Sequence, residues 1–218
     1  MVYVSIDIET SGLDPEKNCI LSIGAIIEDT EKKLPYEECP KFNAVILQKE
    51  IVGSPRALTM NKDLIAMIGE YLEGGDEVRF NMDTILNYSF YEQEDVVKKF
   101  YGFLWSNGFA TLDSPSTHVN GKLTPIIDGK TKPITLNVAG KNFGTFDKLF
   151  LQELPWWQKL IRTRQRVLDP SILMVDWKND KSLPNLTQCK ERAGVEGIVT
   201  HNALEDAWDV IEVLRKFY

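Results

Sequence analysis

A chain of 218 residues, 43% hydrophobic and 10% aromatic, can bury the core of one domain, and this composition excludes global disorder. Its net charge of −7 at pH 7 argues against a broad basic surface for non-specific duplex binding, although bound metal ions can reverse the field at a local nucleic-acid site. The three cysteines are widely spaced and form no C-x-x-C pair, which favours reduced thiols over disulfides or a zinc site. Because no secretory leader and no apolar run of about 20 residues is visible, we expect a cytoplasmic protein with no membrane partner.

The first predicted element is a strand over residues 2–9, in which apolar and polar residues alternate. The alternation puts Asp7 and Glu9 on the same face, with Cα atoms about 6–7 Å apart. Two carboxylates so close repel each other unless a cation lies between them, and a hard divalent ion with oxygen ligands fits that need. A solvated face of an edge strand is the alternative for an isolated Asp-x-Glu pair.

The remaining elements define the predicted fold class. In chain order they are a turn at 10–15, strands at 20–27 and 42–47, helices at 57–72 and 95–105, loops with a possible hairpin across 110–133, a strand at 134–139, a helix at 145–154, a short strand at 167–170, and helices at 186–193 and 202–217. This order predicts an α/β fold with a mixed sheet, in which three antiparallel strands precede parallel strands and helices flank the sheet. We predict one domain, 1–218, with an insertion at about 74–133.

Two further acids lie in helical stripes that should be buried. Asp206 shares a face with Val210 and Val213 on the last predicted helix, and Asp147 shares one with Phe150. An unpaired buried carboxylate is costly, so each needs a salt bridge, a capping role or a metal ion. The presence of Asp7 and Glu9 in the same chain favours the metal site.

His201 lies five residues before Asp206, so the two do not share a helical face. A histidine at the start of the helix can still lean over a site that Asp206 reaches from the first turn. Imidazole is the side chain best suited to take a proton from water near neutral pH. A polar surface residue is the alternative.

Three motifs occur in a fixed order: Asp7-Ile8-Glu9-Thr10-Ser11-Gly12-Leu13, then Gly140-Lys141-Asn142 leading to Phe146-Asp147, then His201-Asn202-Ala203-Leu204-Glu205-Asp206-Ala207. This set resembles the DEDDh exonuclease family, which includes proofreading subunits of bacterial replicases and oligoribonucleases. The resemblance spans nearly the whole chain except residues from about 70 to 133. It implies a ribonuclease-H-like fold and 3′→5′ removal of nucleotides with two divalent ions, Mg²⁺ or Mn²⁺.

The resemblance also implies roles for the acids and the histidine. Asp7 would bridge the two ions, Glu9 and Asp206 would complete one, and Asp147 would hold the other, partly through water. His201 would be the general base for the attacking water. An all-oxygen ligand set suits Mg²⁺ or Mn²⁺.

Four residues match family positions that contact the substrate. Thr10 and Ser11 would bond the terminal sugar, Leu13 would support the last base, and Asn142 matches the asparagine before the second acidic motif. Lys141 departs from the pattern, since family members often carry histidine there. Leu13 is equally compatible with ordinary turn packing.

Two other features have weaker implications. Asp169, at the end of a predicted strand, is interpreted as a turn-supporting residue and not as a ligand. The cluster of Lys159, Arg162, Arg164 and Arg166 could meet a nucleic-acid backbone, but a solvated segment whose neighbouring tryptophans pack on the core explains it better.

The sequence therefore predicts a metal-dependent 3′→5′ exonuclease that releases nucleoside monophosphates from single-stranded or frayed ends, with DNA slightly favoured over RNA. Its predicted partners are those 3′ ends and a polymerase or another replication or repair protein. The rival hypothesis is a catalytically idle module on the same fold that binds nucleic acid or a polymerase.

Overall fold

The computed structural model describes residues 1–85, 87–109, 116–119, 122–128 and 130–218. A mixed five-stranded sheet in the order β4-β3-β2-β1-β8 occupies its centre. The strands are β1 (Val2–Thr10), β2 (Ile20–Asp29), β3 (Lys41–Leu47), β4 (Ser89–Glu92), β5 (Ser116–Val119), β6 (Lys122–Pro125), β7 (Ile134–Leu136), β8 (Val138–Ala139) and β9 (Ile161–Thr163). The helices are α1 (Pro55–Met60), α2 (Lys62–Glu73), α3 (Asp76–Ile85), α4 (Gln93–Leu104), α5 (Asp147–Glu153), α6 (Trp157–Leu160), α7 (Pro170–Leu173), α8 (Leu186–Ala193) and α9 (Ala203–Leu214).

The predicted fold class is confirmed. The strands β1, β2 and β3 pair antiparallel, as expected for strands rich in β-branched residues with short connections, and β8 joins β1 in parallel. Pairing of β1 places Asp7 opposite Gly24 and Glu9 opposite Ser22, with a register shift directly after Glu9. The two acids thus lie on a central strand near the point where β1 leaves the sheet.

Several predicted elements are wrong in detail. The helix expected at 57–72 is two helices, α1 and α2, because the chain bends at Asn61. The strand expected at 134–139 divides into β7, which pairs with β9, and β8, which pairs with β1. The strand expected at 167–170 is reduced to a single bridge between Ala139 and Leu168. Neither α3 nor β4 was predicted. The strand β4 lies at the edge of the sheet and has only four residues, too few to show a clear alternation.

The segment predicted as an insertion, about 74–133, contains structurally different parts. The strand β4 extends the central sheet beside β3, and α4 buries Val96, Phe100 and Leu104 in the main core. The strands β5 and β6 form a separate antiparallel pair within the segment where a hairpin was predicted, and residues 120–121 between them lie outside the described residues. The assignment of one domain with an insertion stays a prediction.

The two faces of β1 contribute to different cores. Val4, Ile6 and Ile8 pack with α4 and α5 on one face, whereas Tyr3 packs with α9 on the other. The alternation of a strand therefore directs Asp7 and Glu9 toward the side that α9 covers. No helix of the described residues combines the length and the apolarity needed to cross a bilayer.

Candidate active site

Close packing of α9 on the sheet brings its first turn to the acids of β1. A Cβ atom added to Gly24 would lie 2.2 Å from the carbonyl carbon of Ala203, so only glycine permits this approach. Asn202 caps the helix by accepting hydrogen bonds from the backbone N–H groups of Leu204 and Glu205. Gly24, directly opposite Asp7, is thus a site-building residue that sequence reasoning missed, and a lone glycine inside an apolar strand was its only signal.

All four predicted acids meet around the end of β1. Glu9, Asp147 and Asp206 are 8%, 2% and 6% exposed, and Asp7 is partly buried. Asp206 forms no salt bridge with any described residue. Its carboxyl group accepts the Thr200 N–H, but its Oδ1 atom is buried and has no hydrogen-bond partner in the part of the chain that the structure describes. Asp147 does not cap α5 with its side chain, since it lies in the first turn after Phe146.

The proximity of these carboxyl groups alters their acidity. Burial, followed by the charges of Asp147, Asp206 and Glu9, holds the pKa of Asp7 well above its ordinary value. Burial, with the charge of Asp206 next, raises the pKa of Glu9 to about 8. Burial also raises the pKa of Asp147 and of Asp206 to about 7 each. Without a cation, the site resists carrying its full negative charge at neutral pH.

These residues fit a divalent ion. Ligand atoms of Glu9, His201 and Asp206 all lie within 4.8 Å of one another. The unpartnered Oδ1 of Asp206 supplies an oxygen with no other role, and the donor set is dominated by carboxylates, which hard ions such as Mg²⁺ or Mn²⁺ prefer. The ordinary account of buried acids, pairing with a basic side chain, applies to the neighbouring Asp209, whose Oδ1 lies 2.6 Å from Lys190 Nζ.

His201 occupies the rim of this acidic group. It is exposed and its φ of 56° lies in the left-handed region, an uncommon backbone conformation for a residue other than glycine. The adjacent Asn202 donates a hydrogen bond of 3.0 Å to the hydroxyl of Tyr88, which tethers the turn to the connection between α3 and β4. Tyr88 is a second site residue that sequence reasoning missed, because nothing in its local pattern distinguishes it.

Two cavities meet at Glu9. The first, of about 360 Å³, has walls formed by Leu13, Met60 and Phe146, with Arg56 at its edge. The second, of about 430 Å³, contains His201 and shares Glu9, Met60 and Asn61 with the first. A mainly apolar cavity beside an acidic centre can accept a flat aromatic group with its polar end toward the acids.

The predicted substrate contacts differ in their surroundings. Leu13 is 82% exposed at the mouth of the first cavity, and the Thr10 hydroxyl donates to the Gly12 carbonyl. The Ser11 side chain is fully buried, where its hydroxyl donates to the Val52 carbonyl and accepts from the Cys19 N–H. A direct substrate role for any of them stays a prediction, and in this conformation the Ser11 hydroxyl holds the loop after β1.

Asn142 and Asp169 belong to one loop network beside Asp147. The Asn142 N–H donates to Asp169 Oδ2 over 3.0 Å, and its side chain accepts from Lys141 Nζ. Asp169 also caps α7 by accepting from the N–H and hydroxyl of Ser171, as its interpretation as a turn-supporting residue requires. Its negative charge contributes to the raised pKa of Asp147 after the larger effect of burial.

The basic cluster lies on the surface. Lys159, Arg162, Arg164 and Arg166 are exposed, whereas Trp157 is buried in the main core. Lys159 Nζ lies 4.9 Å from the centre of the half-buried Trp156 ring. This arrangement is the solvated segment with core-packed tryptophans that the sequence favoured.

No protein-family model matches the chain, and no curated protein matches it. Among solved structures, exonuclease I from Methylocaldum szegediense aligns with a TM-score of 0.59 at 15% identity, over 99% of this chain and 40% of that one. A zinc-bound complex of E. coli exonuclease I with single-stranded DNA aligns with a TM-score of 0.53 at 14% identity, over 98% of this chain and 39% of that one. Cell-death related nuclease 4 aligns with a TM-score of 0.54 at 10% identity, over 99% of this chain and 63% of that one.

The chain therefore spans about two fifths of the exonuclease I chains and less than two thirds of the cell-death nuclease. At these identities the likeness shows the fold alone. The chain has the ribonuclease-H-like fold of these exonucleases, and its activity has to be argued from its own residues.

Proposed function

We propose that this protein is a metal-dependent 3′→5′ exonuclease of the DEDDh type that releases nucleoside monophosphates from single-stranded or frayed nucleic acid, with DNA slightly favoured. The observation that carries the proposal is the meeting of four carboxyl groups around β1, one of which keeps a buried oxygen that no described residue contacts by a hydrogen bond. A protein that needed only a stable core would not gain from this arrangement, because each buried charge costs free energy. Cation binding would offset that cost.

The ligand roles are those that the DEDDh resemblance implies. Asp7 would be shared by the two ions, and the charges of Asp147, Asp206 and Glu9 that raise its pKa agree with a position among the other acids. Glu9 and Asp206, whose ligand atoms lie within 4.8 Å of each other, would complete one site, and Asp147 would hold the other. Bound ions would neutralise the scissile phosphate and lower the pKa of a water molecule.

His201 would act as the general base. Its ring lies close to Glu9 and Asp206, yet it is open to solvent, so it can take a proton from the attacking water and release it to bulk. The Asn202–Tyr88 hydrogen bond would keep the imidazole oriented while the phosphate changes its geometry. The leaving 3′ oxygen would take a proton from solvent at the open rim.

The first cavity would accept the terminal nucleotide. Leu13, Met60 and Phe146 offer apolar surface for a base, and Thr10, which lines the same cavity, would lie beside the sugar. Of the residues that line the two cavities, Arg56 is the only one with a permanent positive charge, and it can meet a phosphate. The single-stranded DNA bound to E. coli exonuclease I supports a strand end as the substrate. A polymerase or another replication or repair protein stays a predicted partner.

The decisive experiment follows 5′-labelled and 3′-labelled single-stranded DNA and RNA with Mg²⁺, with Mn²⁺ and with chelator. The wild type should shorten the 5′-labelled strand stepwise and release labelled mononucleotide at once from the 3′-labelled strand. Asp7→Asn should lose at least 1000-fold in rate. The matched control is Asp29→Asn, since Asp29 pairs with Val2 at the opposite end of the β1–β2 ladder and should leave the rate unchanged.

The outcomes separate the proposal from its rival. Metal-dependent shortening from the 3′ end that disappears in Asp7→Asn supports the exonuclease, and the ratio of DNA to RNA rates identifies its substrate. Tight oligonucleotide binding without cleavage under any condition would favour the idle binding module. Cleavage that survives Asp7→Asn would refute the ligand assignment.

A further inference from the structure

Trp177 is exposed in a way that folding does not explain. Its side chain is 86% exposed, whereas the other four tryptophans of the chain are buried or half-buried. An indole ring left in water contributes nothing to the core, so its apolar face and its N–H stay available for contact with another molecule.

The segment that carries Trp177 is held in place by hydrogen bonds. Asp180 accepts the Asp176 N–H and forms a bidentate pair with Arg192 of α8, at 2.5 Å and 2.7 Å. Asp176 accepts the Lys178 N–H and the Asn179 side-chain amide. Because these hydrogen bonds already fix the turn, it would lose little conformational entropy when the indole binds a ligand.

The charge around the ring favours an anionic partner. Both acids of the turn are occupied by the donors just described, and Arg192 itself compensates Asp180. Lys178, inside the turn, and Lys181, directly after it, are exposed and form no ion pair with any described residue. An exposed aromatic ring followed by such lysines offers stacking to a base and charge to a backbone, the combination that binds single strands.

The turn is connected to the acidic site through short contacts. Directly before the turn, Arg192 donates to the Met174 carbonyl over 2.7 Å, and Met174 ends α7. Asp169 caps the other end of α7 and accepts the Asn142 N–H over 3.0 Å. The Asn142 carbonyl in turn accepts the N–H of Phe146, the residue before Asp147. A chain of hydrogen bonds and one short helix thus joins the Trp177 turn to the loop that carries Asp147.

We propose that the Trp177 turn is a binding site for single-stranded nucleic acid, where the indole stacks on a base upstream of the scissile end and Lys178 and Lys181 contact backbone phosphates. This inference rests on the proposed function and adds to it a second binding contact with the strand, outside the metal site. It predicts that the site matters for oligonucleotides and not for substrates of a single nucleotide.

The test compares two substrates: a 12-nucleotide single-stranded DNA and the p-nitrophenyl ester of thymidine 5′-monophosphate, which reaches only the metal site. Trp177→Ala should raise KM for the 12-mer about tenfold and leave kcat and KM for the ester unchanged, because stacking on one base contributes about this much. Trp177→Phe should restore most of the affinity. Phe80→Ala, which removes another exposed aromatic side chain, is the matched control and should change neither substrate.

Salt dependence tests the lysines. The double variant Lys178→Ala/Lys181→Ala should flatten the plot of log KM for the 12-mer against log salt by a slope of about 1.4, since each phosphate contact on a single strand contributes about 0.7. An unchanged slope would remove the lysines from the site.

Failure of this inference can be distinguished from failure of the proposed function. If the wild type cleaves both substrates and Trp177→Ala has an unchanged KM for the 12-mer, this inference is wrong and the proposed function stands. If the wild type cleaves neither, the proposed function is wrong, and fluorescence anisotropy of the labelled 12-mer in chelator then decides the inference. A Kd that Trp177→Ala leaves unchanged overturns it.

Discussion

Asp206 and Asp209 are two buried acids on one helix that should respond oppositely to the same substitution. They are 6% and 7% exposed, but Asp206 has an unpartnered Oδ1 atom, whereas Asp209 pairs with the buried Lys190. In metal-free protein, Asp206→Asn removes a charge whose burial the Thr200 N–H and the Lys190 charge offset only in part. Asp209→Asn leaves the Lys190 ammonium without its counter-ion. The first change should stabilise the apo protein and the second should destabilise it.

The magnitude follows from the pKa of Asp206. Burial raises that pKa from an ordinary value of 3.8 to about 7. At 1.36 kcal/mol for each pKa unit, charging this carboxyl in the folded state costs about 4 kcal/mol, or about 2 kcal/mol if water penetration halves the effect. For a chain of 218 residues, with an unfolding entropy of about 2.1 cal/mol/K per residue, Asp206→Asn should raise Tm by about 4–9 °C.

The direction in which stability changes with pH follows from the raised pKa of Asp206. Between pH 4 and 7 the folded protein binds a proton at Asp206 that the unfolded chain has released, so wild-type stability falls as pH rises through this window. The stabilisation by Asp206→Asn should therefore be near zero at pH 4 and complete slightly above pH 7. Asp209→Asn should instead cost about 3 kcal/mol at neutral pH, because it leaves a buried charge unpaired.

The assay is thermal unfolding in chelator at a series of pH values, repeated with excess Mg²⁺ or Mn²⁺. Saturating metal should stabilise the wild type and should stabilise Asp206→Asn much less, which reverses their order. A Tm for apo Asp206→Asn that falls below the wild type at pH 7, as for Asp209→Asn, would show that Asp206 has a stabilising partner and would refute the reasoning.

Three further predictions follow from the same structure. His201→Gln should lower the cleavage rate at least 100-fold while Tm stays within about one degree, because the ring is exposed; a rate within threefold of wild type would remove it as the base. Metal affinity measured by calorimetry should rise between pH 6 and 8 as Glu9 and Asp206 release protons, with the heat depending on the buffer used, and a flat Kd would contradict this coupling. Glu28→Gln should lower the free energy of unfolding by about 3 kcal/mol without changing kcat, since Glu28 is 1% exposed and forms a bidentate pair with Arg215; an unchanged Tm would show that the pair contributes nothing.

The local pattern of the sequence was sufficient to single out the acids that meet around β1. The period of a strand puts Asp7 and Glu9 on one face, and the period of a helix puts Asp147 and Asp206 in apolar stripes, so burial of charge could be expected from spacing alone. The mixed sheet followed from the order of strands and helices, and the first three strands were found close to their expected limits. These inferences depend on interactions between residues near in sequence.

Other features depend on contacts between distant segments, which periodicity does not encode. Gly24 matters because α9 passes over it, and Tyr88 matters because Asn202 lies 114 positions away in the chain and 3.0 Å away in space. The division of residues 134–139 into β7 and β8 arises because each half pairs with a different strand.

The buried Ser11 hydroxyl and the exposed Trp177 show the same limit at single side chains. The motif predicts a substrate contact for Ser11, yet its side chain is buried, and Trp177, a residue type that is highly buried on average, is 86% exposed. Residue type sets what a side chain can do, but exposure is a property of the assembled surface, because it depends on which distant segments cover each position. The sequence by itself determined the acids and the fold class, and the tertiary structure decided which of the remaining side chains can reach a substrate.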